Sequence, residues 1–122
     1  MNDILDKPVG TKETLKLKPA VVKVMGIIIE KKGVKQSEII TCLVKHPDNE
    51  EVIKIGSVKH EVQGKLKSSG LWINLDEDDN IRKGSALAVL MGFANVKTTK
   101  ELEGKDLNTC EDEKGFLCFK AY

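Results

Sequence analysis

Apolar and polar positions fall into short blocks along this chain, and most of the blocks are strand-length. From Ala20 the text reads AVVKVMGIIIE, dense in β-branched residues and too short and too apolar for an amphipathic helix. It predicts a first strand, with Gly26 inside it marking a bulge or a sharp bend. Upstream, Leu15-Lys16-Leu17-Lys18 alternates until Pro19, a residue tolerated at a strand start or edge. The turn Lys31–Gln36 leads into SEIITCLVKH, a second strand. His46-Pro47-Asp48-Asn49-Glu50 is a turn by composition, and EVIKI returns as a third strand of a meander.

The middle of the chain is ambiguous. Val58, Val62 and Leu66 recur every four residues, as in a helix, whereas Val58, His60 and Val62 fit a strand and Gly64 weakens a helix. Residues 57–68 are therefore left between a short helical turn and extended chain. Leu71–Leu75 predicts a strand ending in the acidic turn Asp76–Asn80, with Ile81 and Arg82 beginning the return. Ser85 is a good N-cap for ALAVLMGFA, which predicts a short buried helix stopped near Asn95. Thr98 is placed to cap one further helical turn, closed by Gly104.

The C-terminus predicts the clearest hairpin. DLNTCE and FLCFKAY flank Asp112-Glu113-Lys114-Gly115, a type I turn with glycine in the left-handed bulge position. Pairing Asp112 with Phe116 sets Cys110 opposite Cys118, Thr109 opposite Phe119 and Leu107 opposite Ala121. Leu107, Leu117, Phe119, Thr109 and Ala121 then form the core face.

Composition narrows the class. The chain has 122 residues, 40% of them hydrophobic and 32% charged, which suits one globular domain with a well-solvated surface. Residues 1–14 lack periodicity and contain Pro8 and Gly10, so a flexible N-terminal tail is expected, followed by a single domain over 15–122. No apolar run approaches the roughly 20 residues of a membrane helix, and the first residues do not read as a secretory signal, so the expectation is cytoplasmic. Three cysteines, Cys42, Cys110 and Cys118, suit reduced thiols better than a disulfide framework. Net charge is only +1, without the strongly basic footprint of a duplex DNA binder. The charge is uneven: residues 1–75 hold 13 of the 20 basic and 9 of the 19 acidic residues. Arg82 is the one arginine, which argues against bidentate readout of bases.

Familiar chemistries fail on particular residues. The acidic turn opens like a calcium loop, but Ile81 stands where the sixth-position glycine is needed and Leu87 where the twelfth-position glutamate is needed. His46 and His60 have no cysteine at metal-ligand spacing and read as surface residues beside turns, so no metal site is expected. There is no Gly-x-Ser-x-Gly elbow and no glycine-rich phosphate loop, hence no catalytic residues and no cofactor are expected. Cys42 reads as core, and Cys110 and Cys118 as opposed thiols that a reducing compartment would leave inert.

What remains is lysine with an interleaved aromatic. Lys16, Lys18, Lys23 and Lys54 fall on predicted strands, while Lys59, Lys65 and Lys67 flank Trp72. Single-stranded nucleic-acid binders combine a cationic groove with aromatic platforms on which bases stack. Trp72, alternating with Leu71 and Ile73, is either such a platform or core, and core is the first reading. Phe93 and Phe119 are assigned to the core, leaving Phe116 and Tyr122 as further contacts.

Three meandering strands, a helix and a closing hairpin give a mainly β barrel in the order β-β-β-α-β-β, with the hairpin around Asp76–Asn80 inserted before the helix. This order resembles the oligonucleotide/oligosaccharide-binding (OB) barrel. The segment GSALAVLMGF followed by ELEGKDLNTCEDEKGFLCFKAY also resembles small barrel proteins of archaea and of phage-type replication modules. The resemblance covers roughly residues 15–122 and implies a non-enzymatic module that binds single-stranded DNA or RNA. The competing expectation is a protein-interaction or assembly module, with a protein partner or a second copy of the chain and no membrane association.

Overall fold

The computed structural model describes residues 17–122, so the expectations for the N-terminal tail and for Lys16 lie outside the described residues. The three-strand meander is present as β1 (Val22–Lys32), β2 (Ser37–Lys45) and β3 (Ile53–Ile55), all antiparallel. Lys18 precedes β1 and is not on a strand. The register slips between Val24 and Gly26, which is the bulge expected at the glycine. Before the bulge, Val22 and Val24 point inward; after it, Ile27 opposes the fully buried Cys42, so inward parity has switched from even to odd positions. One long strand thereby serves two parts of a curved sheet.

The ambiguous middle is extended throughout. β4 (Ser57–Val62) and β5 (Lys65–Gly70) form a hairpin around Gln63 and Gly64, both at positive φ (51° and 80°), as a two-residue primed turn requires. The additional hairpin of the chain is this β4–β5 pair, which corrects the expectation of one around Asp76–Asn80. There the chain makes only an isolated bridge between Leu75 and Ile81. Leu71–Leu75 is likewise not a full strand, although it has a strand's task. Leu71 O accepts from Ile40 N–H at 2.9 Å and Ile73 N–H donates to Glu38 O at 3.0 Å. β3 pairs with β2 at residues 42–44, and Leu71–Ile73 takes over the same edge at residues 38–40.

The closing elements are β6 (Asp106–Leu107), β7 (Thr109–Glu111) and β8 (Leu117–Ala121). β6 pairs with β1, β7 with β8, and β8 runs parallel to β4. Pairing therefore passes in a ring from β1 through β2, the bent strand β3–β4, β8 and β7–β6 back to β1, a mainly β, barrel-like fold with one helix. Cys110–Cys118 and Thr109–Phe119 pair in the expected register, whereas Leu107 pairs with Val22 of β1 instead of with Ala121. Asn108 lies between β6 and β7, where the strand passes from one sheet to the other.

The helix α1 (Ala86–Phe93) starts where the sequence predicts, with Ser85 Oγ accepting from Ala88 N–H. Leu87, Leu90, Met91 and Ala94 fall at i, i+3, i+4 and i+7 and pack against the interior with Val58, Phe119 and Ala121. Burying each leucine contributes about 1.5–3 kcal/mol. Phe93 lies off that stripe and is 59% exposed, correcting its assignment to the core; Phe119 is fully buried as expected. Residues Thr99–Leu102 form a 3₁₀ turn ended by Gly104 at φ 87°, but the Thr98 hydroxyl bonds the Glu101 carboxylate and does not cap the backbone.

Candidate nucleic-acid interface

Trp72 is 43% exposed, so its core reading is corrected. The cause is its position on the strand-like segment beside β2. Leu71 points inward and is fully buried, and alternation then sends Trp72 outward, bridged to Ile39. Its indole rests on the backbone at Gly70, where any added Cβ would stand 2.7 Å from Trp72 Nε1 and 3.1 Å from Ile39 Cδ1. Glycine lets the ring lie against the backbone here, since a side chain would displace the indole from the space it fills.

The register fixes what shares this outer face. Glu30 of β1 opposes Ile39, which opposes Trp72, so the three form one row. Lys32 lies two residues further along β1, and Lys54 of β3 opposes Leu43, four residues along β2 from Ile39. Strand spacing and rise place Lys32 and Lys54 each roughly 12–14 Å from Trp72, on opposite sides of it. The β1–β2 turn adds exposed Lys35 beside the fully exposed Val34, and it is held by Gln36 Nε2 donating to Gly33 O at 3.0 Å. Lys31 opposes Glu38 and faces the other way.

Glu30 tempers the positive charge. Its carboxyl is held below the usual range, first by the Thr41 hydroxyl and then by the charges of Lys54 and Lys32. Lys54 Nζ stands 3.9 Å from Glu30 Oε2, a solvent-exposed pair that is weak and readily exchanged.

Other expected contacts are dispersed. Lys23 opposes Lys45 and Asp106 at the far end of β1, and Lys18 is exposed before the strand. Lys59 on β4 donates to Glu111 O at 3.2 Å. Lys65 and Lys67 oppose Val62 and His60, which puts them on the opposite face of that sheet from Lys59. The expected grouping of Lys59, Lys65 and Lys67 around Trp72 is therefore not formed. Sequence reading instead missed Lys32 and Lys35, whose signal was the lysine-rich Lys31–Lys35 turn beside the second strand.

The β7–β8 turn has the opposite charge. Asp112 Oδ1 accepts from the N–H groups of Lys114 and Phe116, and the Glu113 carboxylate accepts from Ser68 N–H at 3.1 Å and from the Ser68 hydroxyl. The Ser68 hydroxyl is the main reason the Glu113 carboxyl lies below its ordinary range. A polyanion following the outer face would be attracted to the β1–β2 turn and repelled from this one.

Both histidines are buried, a correction to their surface reading. Asp48 N–H donates to His46 Nδ1 at 3.0 Å, so Nε2 carries the proton and donates to Lys18 O at 2.7 Å. His60 Nε2 stands 3.4 Å from Ser69 Oγ. Each ring is a structural tie. In the acidic turn, Asp76 Oδ1 accepts from Asp78 and Asn80 N–H, and among the described residues no three His, Cys, Asp or Glu side chains are grouped to hold a metal ion. Cys42 is core, and burial pushes its thiol up to about 11. Among the described residues no helix is long and apolar enough to cross a membrane.

Comparison of the chain with protein-family models, with curated proteins and with solved structures finds no match.

Proposed function

We propose that this protein is a non-enzymatic binding module for single-stranded nucleic acid, which it holds across the outer face of β2. The observation that carries the reading is the exposed Trp72 indole, seated on Gly70 and flanked along the sheet by Lys32 and Lys54. A base stacks on the indole for about 1–3 kcal/mol, and Lys32, Lys35 and Lys54 neutralise neighbouring phosphates. The likeness of the strand order to OB barrels, which bind on the face of their second and third strands, supports the same surface. With one platform and three lysines, binding is micromolar or weaker and indifferent to base sequence.

Trp72 is the chain's one tryptophan, so its emission reports on the site directly. Titration with a mixed-sequence single-stranded oligonucleotide at low salt quenches it. Three phosphate contacts give a slope of log K against log salt near −2, or about a twenty-fold loss between 50 and 200 mM. Unchanged emission and unchanged backbone amide shifts at low salt would reject the reading.

A protein-interaction module is the second reading, because β5 is an edge strand of its sheet, where an added strand would displace the Glu113 carboxylate from Ser68 N–H. Strictly monomeric sedimentation with no captured partner would count against it.

A further inference from the structure

Cys110 and Cys118 are directly opposed across the terminal hairpin, with their Sγ atoms 3.7 Å apart. Hydrogen-bond parity identifies the kind of pair. Asp112 N–H donates to Phe116 O and Lys120 N–H donates to Asn108 O, so 112/116 and 108/120 are hydrogen-bonded pairs. Such pairs recur at every second residue of an antiparallel ladder, which makes 110/118 one as well, with Cα atoms about 5.5 Å apart. A disulfide spans Cα separations of about 4.4–6.8 Å and Cβ separations of about 3.5–4.5 Å, so the Cα atoms stand at bridging distance while the Cβ atoms of a hydrogen-bonded pair, roughly 5.5 Å apart, must draw together. Closing the bond to about 2.05 Å takes side-chain rotation together with a local approach of the two strands by about 1 Å, and leaves a strained, readily reduced disulfide.

The surroundings decide which sulfur reacts first. Cys118 is fully buried, while Cys110 is 9% exposed. Burial, reinforced by the Cys110 thiol, pushes Cys118 up to about 12, so its thiolate is scarce. The Tyr122 phenol lies beside Cys110 at the end of the chain and is itself pushed up, first by partial desolvation and then by that thiol. Tyr122 is 43% exposed and follows the last residue of β8, so it covers Cys110 without sealing it. An oxidant the size of water can pass where a bulky disulfide cannot.

We propose that Cys110 and Cys118 form a peroxide-convertible dithiol, which closes to an intrachain disulfide and locks the C-terminal hairpin. The Cys110 thiolate attacks one peroxide oxygen and the O–O bond breaks, leaving a sulfenic acid and a hydroxide that takes up a proton as water. The Cys118 sulfur then attacks the Cys110 sulfur. The S–S bond forms as the S–O bond breaks, and the departing hydroxyl leaves with the thiol proton as a second water. Two thiols lose two electrons and one peroxide gains them. The step is independent of nucleic-acid binding.

Treatment of the full chain with a small excess of hydrogen peroxide tests this by intact mass and non-reduced peptide mapping. The expected product has lost two hydrogens, links the peptides of Cys110 and Cys118, leaves Cys42 alkylatable once the chain is denatured, and reverts with dithiothreitol. In Cys118→Ser, Cys110 accumulates as a sulfenic acid that dimedone traps. The wild-type map stands even if that variant fails to fold. Oxygen addition with no 110–118 link, cross-linking between chains, or both thiols still fully alkylatable would overturn the proposal.

Discussion

Replacing Gly70 by alanine probes the seat of the Trp72 indole. The new methyl would lie 2.7 Å from Nε1 and 3.2 Å from Cδ1 of Trp72, whereas ordinary contact begins near 3.4 Å, so the ring must move outward by about 0.7 Å. Ile39 Cδ1, at 3.1 Å, must give by a few tenths of an ångström. Overpacking of this kind costs about 1–3 kcal/mol. Because the indole is 43% exposed and free to swing toward solvent, the lower end applies, about 1 kcal/mol. With a urea m-value near 2 kcal/mol/M, the unfolding midpoint falls by about 0.5 M. Tryptophan emission moves to the red as the ring meets more water, and oligonucleotide affinity falls by part of the roughly 1–3 kcal/mol that stacking contributes. Urea titration followed by circular dichroism, with emission spectra of the folded variant, reads both effects. An unchanged emission maximum with an unchanged midpoint would show that the ring does not rest on Gly70 and that the platform is not seated there.

His46→Ala removes two hydrogen bonds worth about 1 kcal/mol each together with a buried ring, so chemical denaturation should show a loss of about 2–3 kcal/mol. His46→Asn, able to accept from Asp48 N–H, recovers about 1 kcal/mol of it, and equal losses in both variants would refute that assignment. Gly92→Ala, in the helix with open space around the new methyl, should stabilise by about 0.5–1 kcal/mol; destabilisation in the same denaturation assay would contradict the open surroundings of this helix position. Glu113 titrates below its reference of 4.5 in the folded chain, so its tie to Ser68 contributes to stability above that value and is lost as pH falls through the folded-state value. A carboxyl-detected NMR titration checks this, and Ser68→Ala should move Glu113 back up toward 4.5; a Glu113 value already at or above 4.5 in the parent chain would refute it.

The strands and caps that could be read from the sequence are those whose signals are local. Ser85 caps with its own side chain, Gly115 takes the positive φ of the terminal turn (84°), and Gly26 sits at the bulge. The β4–β5 hairpin was not legible because Gln63, not asparagine or glycine, occupies its first left-handed position, while Val58, Val62 and Leu66 imitate a helical period. His46 escaped because its partner, Lys18 O, lies 28 residues away. For the site, alternation set Trp72 against Leu71 and Ile73 but could not tell which side faced water; the answer comes from the pairing of Leu71–Ile73 with β2. The lysines most strongly suggested, Lys59, Lys65 and Lys67, are close in sequence, yet the hairpin turn between them sends them to opposite faces.

Binding across the outer face of β2 is tested by a backbone amide shift map recorded with a short oligothymidylate at low salt. The expected shifts concentrate at Gly70–Ile73, Ile39, the turn from Lys32 to Gln36, and Lys54, with the acidic Asp112–Gly115 turn and the helix unmoved. Shifts confined to that acidic turn or to the helix, or no shifts at saturating oligonucleotide, would mean that single strands are not held on this face.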